Sequence, residues 1–546
     1  MEFFIGNTLN VIDLEEVLNS VVPYSPYGQR EKEKLKPTLS KAKLQREYTL
    51  TYQILEIIQR DNKVTGIIDL LKNLKDITPI IKKALAGLVL EEIDFFYLKQ
   101  WLTGVRTLAD LTEKTGIKKE INIKFEKIEG FFKIITLDNE GPGFYISSKH
   151  NPQLEKARTT SRRLREKLDN LLEKRKKEIE REFNVLFNIE NTLNISKFDG
   201  DKVEKLSKCP HLYYQGENYT HVQFKIKEWE ETLKIKGKLA EVNKEIEHEE
   251  EKVKKYLTEE FLKYIPKFQG NCKKIGRLDW LLTKANYSRE INGVKPILTT
   301  ENIIKLKGAK NPVLAGVLAK RGKKVTPIDL ELDSGVTVIT GSNMGGKSLT
   351  LKTLGLMTAL AQMGFLVPCE EMVFSPRKFI YCSLYHQQSI YDGLSTFGVE
   401  IKALKKVLTY RDKQGLYLID ELARGTNPIE GGALAYAVAK YLNEGDSITV
   451  MVTHFEQLLT DEFGQLRIVG LDNVTENKLK KGLKGKRGVE AVEELMDYRI
   501  EKVTKLGIPK EGLKIAALMG LPQEIIENAE KKLAKDQQKR SEQDDR

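Results

Sequence analysis

The sequence predicts a multidomain chain: an α-helical core carrying long coiled-coil arms, then an α/β domain, then a pair of C-terminal helices. Three observations predict it. The 546 residues, 40% of them hydrophobic, exceed what one core organises and are too apolar for disorder. Two long stretches are charged and poor in Gly and Pro, and the first has a narrow apolar seam. From about residue 301, β-rich runs alternate with loops and helices, the pattern of a parallel sheet wrapped by helices.

Residues 1–151 read as the first part of the core. Apolar residues recur at helical spacing in YTLTYQILEIIQ and again from IIDLL to KQWL. KFEKIEGFFKIITLDNEGPGFYIS is richer in aromatic and β-branched residues and is broken by Gly-Pro-Gly, which predicts a strand or hairpin. Residues 152–265 hold the arms. The first is LEKARTTSRRLREKLDNLLEKRKKEIEREFNVL, with a seam of Leu164, Leu168, Leu171 and Leu172; the second is WEETLKIKGKLAEVNKEIEHEEEKVKKYLTEEFLKYI. They are expected to pair antiparallel around a globular tip at 190–225. Its Tyr213, Tyr214, Tyr219 and Phe224 read as a small core. Residues 266–300 return to the core, 301–505 form the α/β domain, and 506–546 give two short helices around Gly520-Leu521-Pro522, with QQKRSEQDDR as a frayed tail.

The N-terminus MEFFIGNTLNVIDLEE has no basic segment before an apolar run, so no signal peptide is expected, and no stretch is apolar enough to span a membrane. The chain is expected to be cytoplasmic, with no membrane partner. Cys209, Cys272, Cys369 and Cys382 match no zinc spacing and read as reduced thiols. The formal net charge of +12 invites nucleic acid. Its distribution is uneven. Residues 1–150 and 151–260 each sum to about +1, whereas residues 261–330 carry 15 Lys/Arg against 4 Asp/Glu.

The chemistry begins at VTVITGSNMGGKSLTLKTLGL. Gly341, Ser342, Asn343, Met344, Gly345, Gly346, Lys347 and Ser348 satisfy G-x-x-x-x-G-K-[ST], with a strand leading in and a helix leading out. Glycines let backbone N–H groups turn toward phosphates with no Cβ in the way. Lys347 is placed to reach the β- and γ-phosphates and Ser348 to ligate Mg²⁺, so ATP and Mg²⁺ are the expected cofactors. In GLYLIDELARGTNPIEGG, the apolar run Leu416 to Ile419 ends at Asp420 and Glu421. Asp420 is placed to hold Mg²⁺ through water, and Glu421 to orient or deprotonate the attacking water. His454 follows a third apolar strand, where a γ-phosphate sensor belongs. Ser395 and Thr396 stand in QQSIYDGLSTFGVEI, where a helix cap is the plain reading.

With these in order, the chain resembles the MutS family within the ABC-type ATPases. The resemblance rests on GSNMGGKS, the S-T-F loop, D-E-L-x-R-G-T and T-H-F, and extends to nearly the whole chain. YSPYGQREKEKLKP and GTNPIEG lean toward the branch whose other members carry a C-terminal Smr nuclease. The resemblance implies an ATPase working as a homodimer. Ser395 would act in trans on nucleotide held by the other subunit. Gln388 would lie in the loop linking nucleotide state to the levers, the arms would be clamp levers, and Leu513 to Leu533 would match the dimerisation element. Departing from the family pattern, the chain is expected to lack the N-terminal mismatch-reading domain and the Smr domain. Lys310-Asn311-Pro312 stands where the family often has Arg-His-Pro, and KLKKGLKGKRGVEAVEELMDYRIEKV is longer than usual.

The load of this motor has two readings. MutS architecture implies a clamp on double-stranded or branched DNA, acting in repair or recombination without being a standard mismatch reader. The basic excess at 261–330 could touch phosphates. The nearly neutral arms suit the other reading, a protein remodeller. Short MutS-like chains resemble the reactivase ATPase of the cobalamin-dependent lysine aminomutase, whose client is a protein. Intact Lys347, Ser348, Asp420 and Glu421 argue against a degenerate structural paralogue.

Overall fold

The computed structural model describes residues 2–138, 141, 143–342, 344–384, 396–471, 492, 495–503 and 511–544. Among the described residues it is a mixture of helices and three sheets. The chain divides into two units. One comprises Met1–Asn73, Asp110–Lys124 and Lys273–Arg546; the other comprises Leu74–Ala109 and Phe125–Cys272.

The first unit is organised by a seven-stranded sheet. Its strands are β1 (Phe4–Ile5), β2 (Gly335–Thr340), β3 (Ile380–Ser383), β4 (Leu416–Asp420), β5 (Ile448–Val452), β6 (Gly464–Gly470) and β7 (Asp497–Lys502). Their spatial order is β1-β3-β4-β5-β2-β6-β7, parallel throughout except for the β6–β7 pair. β5 thus lies between β2 and β4. The strands β4 and β5 are near-continuous apolar runs, as covering on both faces requires. Tyr417 and Ile419 face a core with Val336, Val338, Met451 and the helix residues Ala435, Val438, Ala439 and Leu442. Leu418, one residue out of phase, meets Gly355 of the helix Lys347–Gln362. Side chains alternate across a strand, so the helices Lys347–Gln362 and Pro428–Asn443 cover opposite faces.

β1 is a strand that the helical texture of the first 150 residues gave no sign of. It pairs with β3, and the adjoining Thr8 Oγ1 accepts from Cys382 N at 2.9 Å. Further along, Ser25 caps the helix Pro26–Glu33. Asp279 accepts from Tyr24 N at 3.0 Å, Ser25 N at 2.7 Å and Ser25 Oγ at 2.6 Å. The helix Lys41–Arg60 starts from the Ser40 cap and buries Leu44, Tyr48, Thr51, Ile54 and Ile58, spaced three or four apart. A second sheet of four strands joins Ile297–Leu298, Glu371–Phe374, Ile304–Ala309 and Ile328–Leu332 in that order.

The second unit holds the long helix Pro152–Phe183 and the part of the helix Glu230–Glu290 up to Cys272. They pair antiparallel: Ser161 bonds Asn243 at 3.4 Å, and Lys167 sits 3.4 Å from Glu231. Leu164, Leu168, Leu171 and Leu172 are half-buried. Between the helices, Thr192–Ser196, His221–Ile226 and Leu212–Glu217 form an antiparallel sheet over Leu193, Leu206, Val222 and Phe224. The expected aromatic core at this tip holds for Phe224 alone. Tyr213 and Tyr214 lie on the edge strand Leu212–Glu217 and Tyr219 in the turn before His221–Ile226, and all three are exposed.

The expected strand or hairpin within 124–147 is replaced by the helix Glu129–Ile135. Phe131 and Ile135 are four apart and both buried, and Phe131 packs on Phe261 and Phe268. This tertiary contact overrides β-propensity. The final helix, Gln523–Asp544, runs through the segment expected to fray. All four cysteines are free thiols. Among the described residues, no helix is long and apolar enough to cross a membrane.

Candidate nucleotide-binding site

β2 delivers the chain to Gly341 at φ +147°, and Gly346 stands at φ +87° before the helix Lys347–Gln362. Both conformations favour glycine. The turn between them is tight. Gly345 N donates to Ser342 O at 3.1 Å, and a Cβ at Gly345 would approach that oxygen to 3.0 Å. Ser342 is buried, while Met344, at φ +70°, is exposed. Lys347 is buried and donates from Nζ to Gly341 O at 2.7 Å and Ser342 O at 2.9 Å. Burial lowers its pKa, opposed by the nearby carboxylates Glu421 and Asp420.

Ser348 Oγ donates to Asp420 Oδ2 at 2.6 Å. β5 separates β2 from β4, so it is the helix following the loop that carries Ser348 across to the end of β4. Burial raises the Asp420 pKa; the Ser348 hydrogen bond opposes this and the neighbouring Glu421 adds to it. Glu421 has left-handed backbone, φ +50°, fixed by its N–H donating to Val452 O at 2.9 Å. Its Oε1 lies 2.9 Å from His454 Nε2, just beyond β5, and its Oε2 accepts from Arg424 Nη1 at 2.5 Å. The His454 hydrogen bond holds the Glu421 pKa below its ordinary value, against partial burial and with help from Arg424 and Lys347.

The structure therefore gathers Gly341, Ser342, Gly345, Gly346, Lys347, Ser348, Asp420, Glu421 and His454 along one end of the sheet. Asn343, Gln388 and Ser395 lie outside the described residues. Two neighbours escaped the sequence reading. Arg424 stands in D-E-L-x-R-G-T, so a signal for it was present. Glu400, whose Oε2 accepts from Ala423 N at 3.2 Å, had no signal beyond its place after S-T-F. Burial raises the Glu400 pKa. Asn311, at the departure from Arg-His-Pro, caps the helix Pro312–Ala319 by accepting from Val313 N and Leu314 N.

Residues 337–536 match the family model MutS domain V. That span includes Lys347, Ser348, Asp420, Glu421 and His454. The chain is similar to Endonuclease MutS2 of Halothermothrix orenii, 27% identical over 85% of this chain and 57% of that protein. It is likewise similar to Endonuclease MutS2 of Thermotoga neapolitana, 27% identical over 97% of this chain and 66% of that protein. A shorter alignment with Endonuclease MutS2 of Acetivibrio thermocellus reaches 38% identity over 38% of this chain and 26% of that protein. The chain thus spans less than two thirds of the length of these relatives. The gathered residues thus lie within a match to MutS domain V, and similarity to proteins named Endonuclease MutS2 extends along almost the entire chain.

Proposed function

We propose that the chain is a DNA-binding clamp ATPase that hydrolyses ATP with Mg²⁺ at a symmetric dimer interface, serving DNA repair or recombination rather than standard mismatch reading. The observation that carries the proposal is the bond between Ser348 and Asp420 at 2.6 Å, beside the left-handed Glu421 and the buried Lys347. The donor set suits Mg²⁺, a hard cation usually held by one or two carboxylates or hydroxyls with phosphates and waters. The loop suits phosphates, since Gly341 and Gly346 keep its backbone clear of side chains. Bound Mg²⁺ would neutralise charge developing on the phosphates.

The chain's own groups divide the remaining work. Lys347 turns from the Gly341 and Ser342 carbonyls to the β- and γ-phosphates. Glu421, ionised at neutral pH, orients the attacking water and accepts its proton as the new P–O bond forms and the bond to the β-phosphate oxygen breaks. His454 fixes the Glu421 carboxylate and senses the γ-phosphate. Ser395 acts on nucleotide held by the partner copy, and Gln388 links nucleotide state to the arms. The long helices Pro152–Phe183 and Glu230–Glu290 act as coiled-coil levers, and the helices from Gly512 to Asp544 serve dimerisation. The relatives' name, endonuclease, favours nucleic acid as the load.

The test is turnover with homoduplex, mismatched and branched DNA across a salt series. Stimulation that fades steeply with salt supports the clamp, because phosphate contacts release counterions. Turnover indifferent to every DNA overturns it and favours a protein client, such as a cobalamin-dependent aminomutase.

A further inference from the structure

The helix Lys347–Gln362 ends at a second place of concentrated charge. A cavity of about 620 Å³ lies there, within the first unit. Its lining includes five cations, Lys34, Lys36, Lys43, Arg46 and Arg277, against two carboxylates, Glu31 and Glu47. Both carboxylates are already engaged. Glu31 pairs with Lys34 at 2.6 Å. Glu47 pairs with Arg277 at 2.5 Å and with the fully buried Lys284 at 2.6 Å. Lys36, Lys43 and Arg46 have no ion-pair partner among the described residues and face the same cavity. The first turn of the 20-residue helix Lys41–Arg60 also lines it, through Lys43 and Leu44, and adds the positive end of a helix dipole.

We propose that this cavity is a binding site for a small molecule bearing two or more linked phosphates. Its volume lies in the range of small-ligand sites. Three uncompensated cations around one cavity match a compact polyanion, whereas a duplex is held by cations spread along a surface. Counting charge along the chain missed the site because its free cations come from residues 36–46, in a stretch of nearly neutral total, and meet Arg277 only through the fold. The site is tied to the loop at the other end of the helix. Thr38 N donates to Gln362 O at 3.0 Å, and Gln362 Oε1 accepts from Arg377 N at 2.7 Å. An occupant drawing in residues 36–43 therefore bears on the helix that begins with Lys347 and Ser348.

The experiment is calorimetric titration of inorganic pyrophosphate into the full chain, with and without a saturating non-hydrolysable ATP analogue. One pyrophosphate site is expected to persist beside the analogue. The triple variant K36Q/K43Q/R46Q is expected to weaken it by about tenfold or more, with the thermal melt and analogue affinity unchanged. That loss is expected even if the Lys347 loop binds no nucleotide, so the two proposals fail separately. Absence of a pyrophosphate site beside the analogue, or equal affinity in the triple variant, overturns the proposal. So does a triple variant that binds pyrophosphate normally but duplex DNA weakly, which would make the cavity part of a nucleic-acid surface.

Discussion

His454 Nε2 lies 2.9 Å from Glu421 Oε1, while Arg424 Nη1 lies 2.5 Å from the other carboxylate oxygen. The carboxylate is gripped at both oxygens on a backbone whose φ of +50° aims it away from the path of β4. A residue other than glycine in that conformation is uncommon, and such strain gathers at functional sites. The grip also lowers the Glu421 pKa, so the group remains ionised through neutral pH.

Replacing Glu421 with Gln keeps the shape and removes the proposed base. Turnover is expected to fall by about 100-fold or more, the range of general-base effects, with nucleotide affinity little changed. Phosphate release and analogue titration measure the two. Normal turnover in Glu421→Gln would end the hydrolytic assignment.

Replacing His454 with Ala removes the chief cause of the lowered Glu421 pKa. The Glu421 pKa then rises, so the acid limb of the pH–turnover profile moves to higher pH. About a tenfold loss of turnover is expected as well, from the freed carboxylate. An unmoved acid limb would show that His454 does not set the state of Glu421.

Gly346→Ala places a side chain at φ +87°, with its Cβ 3.4 Å from the Tyr498 ring. The left-handed strain costs about 1–2 kcal/mol. Nucleotide affinity should fall with it, because relaxing the strain turns the loop's N–H groups. Paired unfolding and nucleotide titrations test this; undiminished affinity would mean that the loop does not present its backbone to phosphate.

Glu47→Gln leaves Lys284 buried beside a neutral amide, a change expected to cost about 3 kcal/mol at pH 7. Burial pushes the Glu47 pKa up, but Lys284 and Arg277 outweigh it and bring it from 4.5 down to about 2. Because the folded value is depressed, the contribution is complete above pH 4.5 and fades as pH falls toward about 2. The stability gap between wild type and variant, followed by thermal melts from pH 7 to pH 3, should narrow below about 4.5. A gap independent of pH would count against an ionised Glu47.

Much of the site was legible because its residues sit at fixed offsets from strand ends. Asp420 and Glu421 follow four apolar residues, and His454 follows another such run, so chain order alone places them together. Long-range placement was less legible. The helix at Glu129–Ile135 was hidden because its aromatic residues favour strands until Phe261 and Phe268 are supplied. Arg277 and Lys284 counted toward a basic stretch, yet both are committed to Glu47, more than 200 residues earlier. The same stretch straddles the division at residues 272 and 273 between the two units.

The pairing of Phe4–Ile5 with Ile380–Ser383 bears on how the chain is made. Thr8 and Cys382 are 374 residues apart. During synthesis, the opening residues leave the ribosome long before their neighbours in the sheet exist. They must stay unpaired while most of the chain is translated, and contacts of such separation form slowly. A fragment cut to residues 337–536 would therefore emerge with a bare sheet edge at Ile380–Ser383. It would also lack Asp13, which pairs with Lys352 at 2.9 Å. Such an edge invites pairing with another chain, so the fragment is a poor substitute for the whole protein.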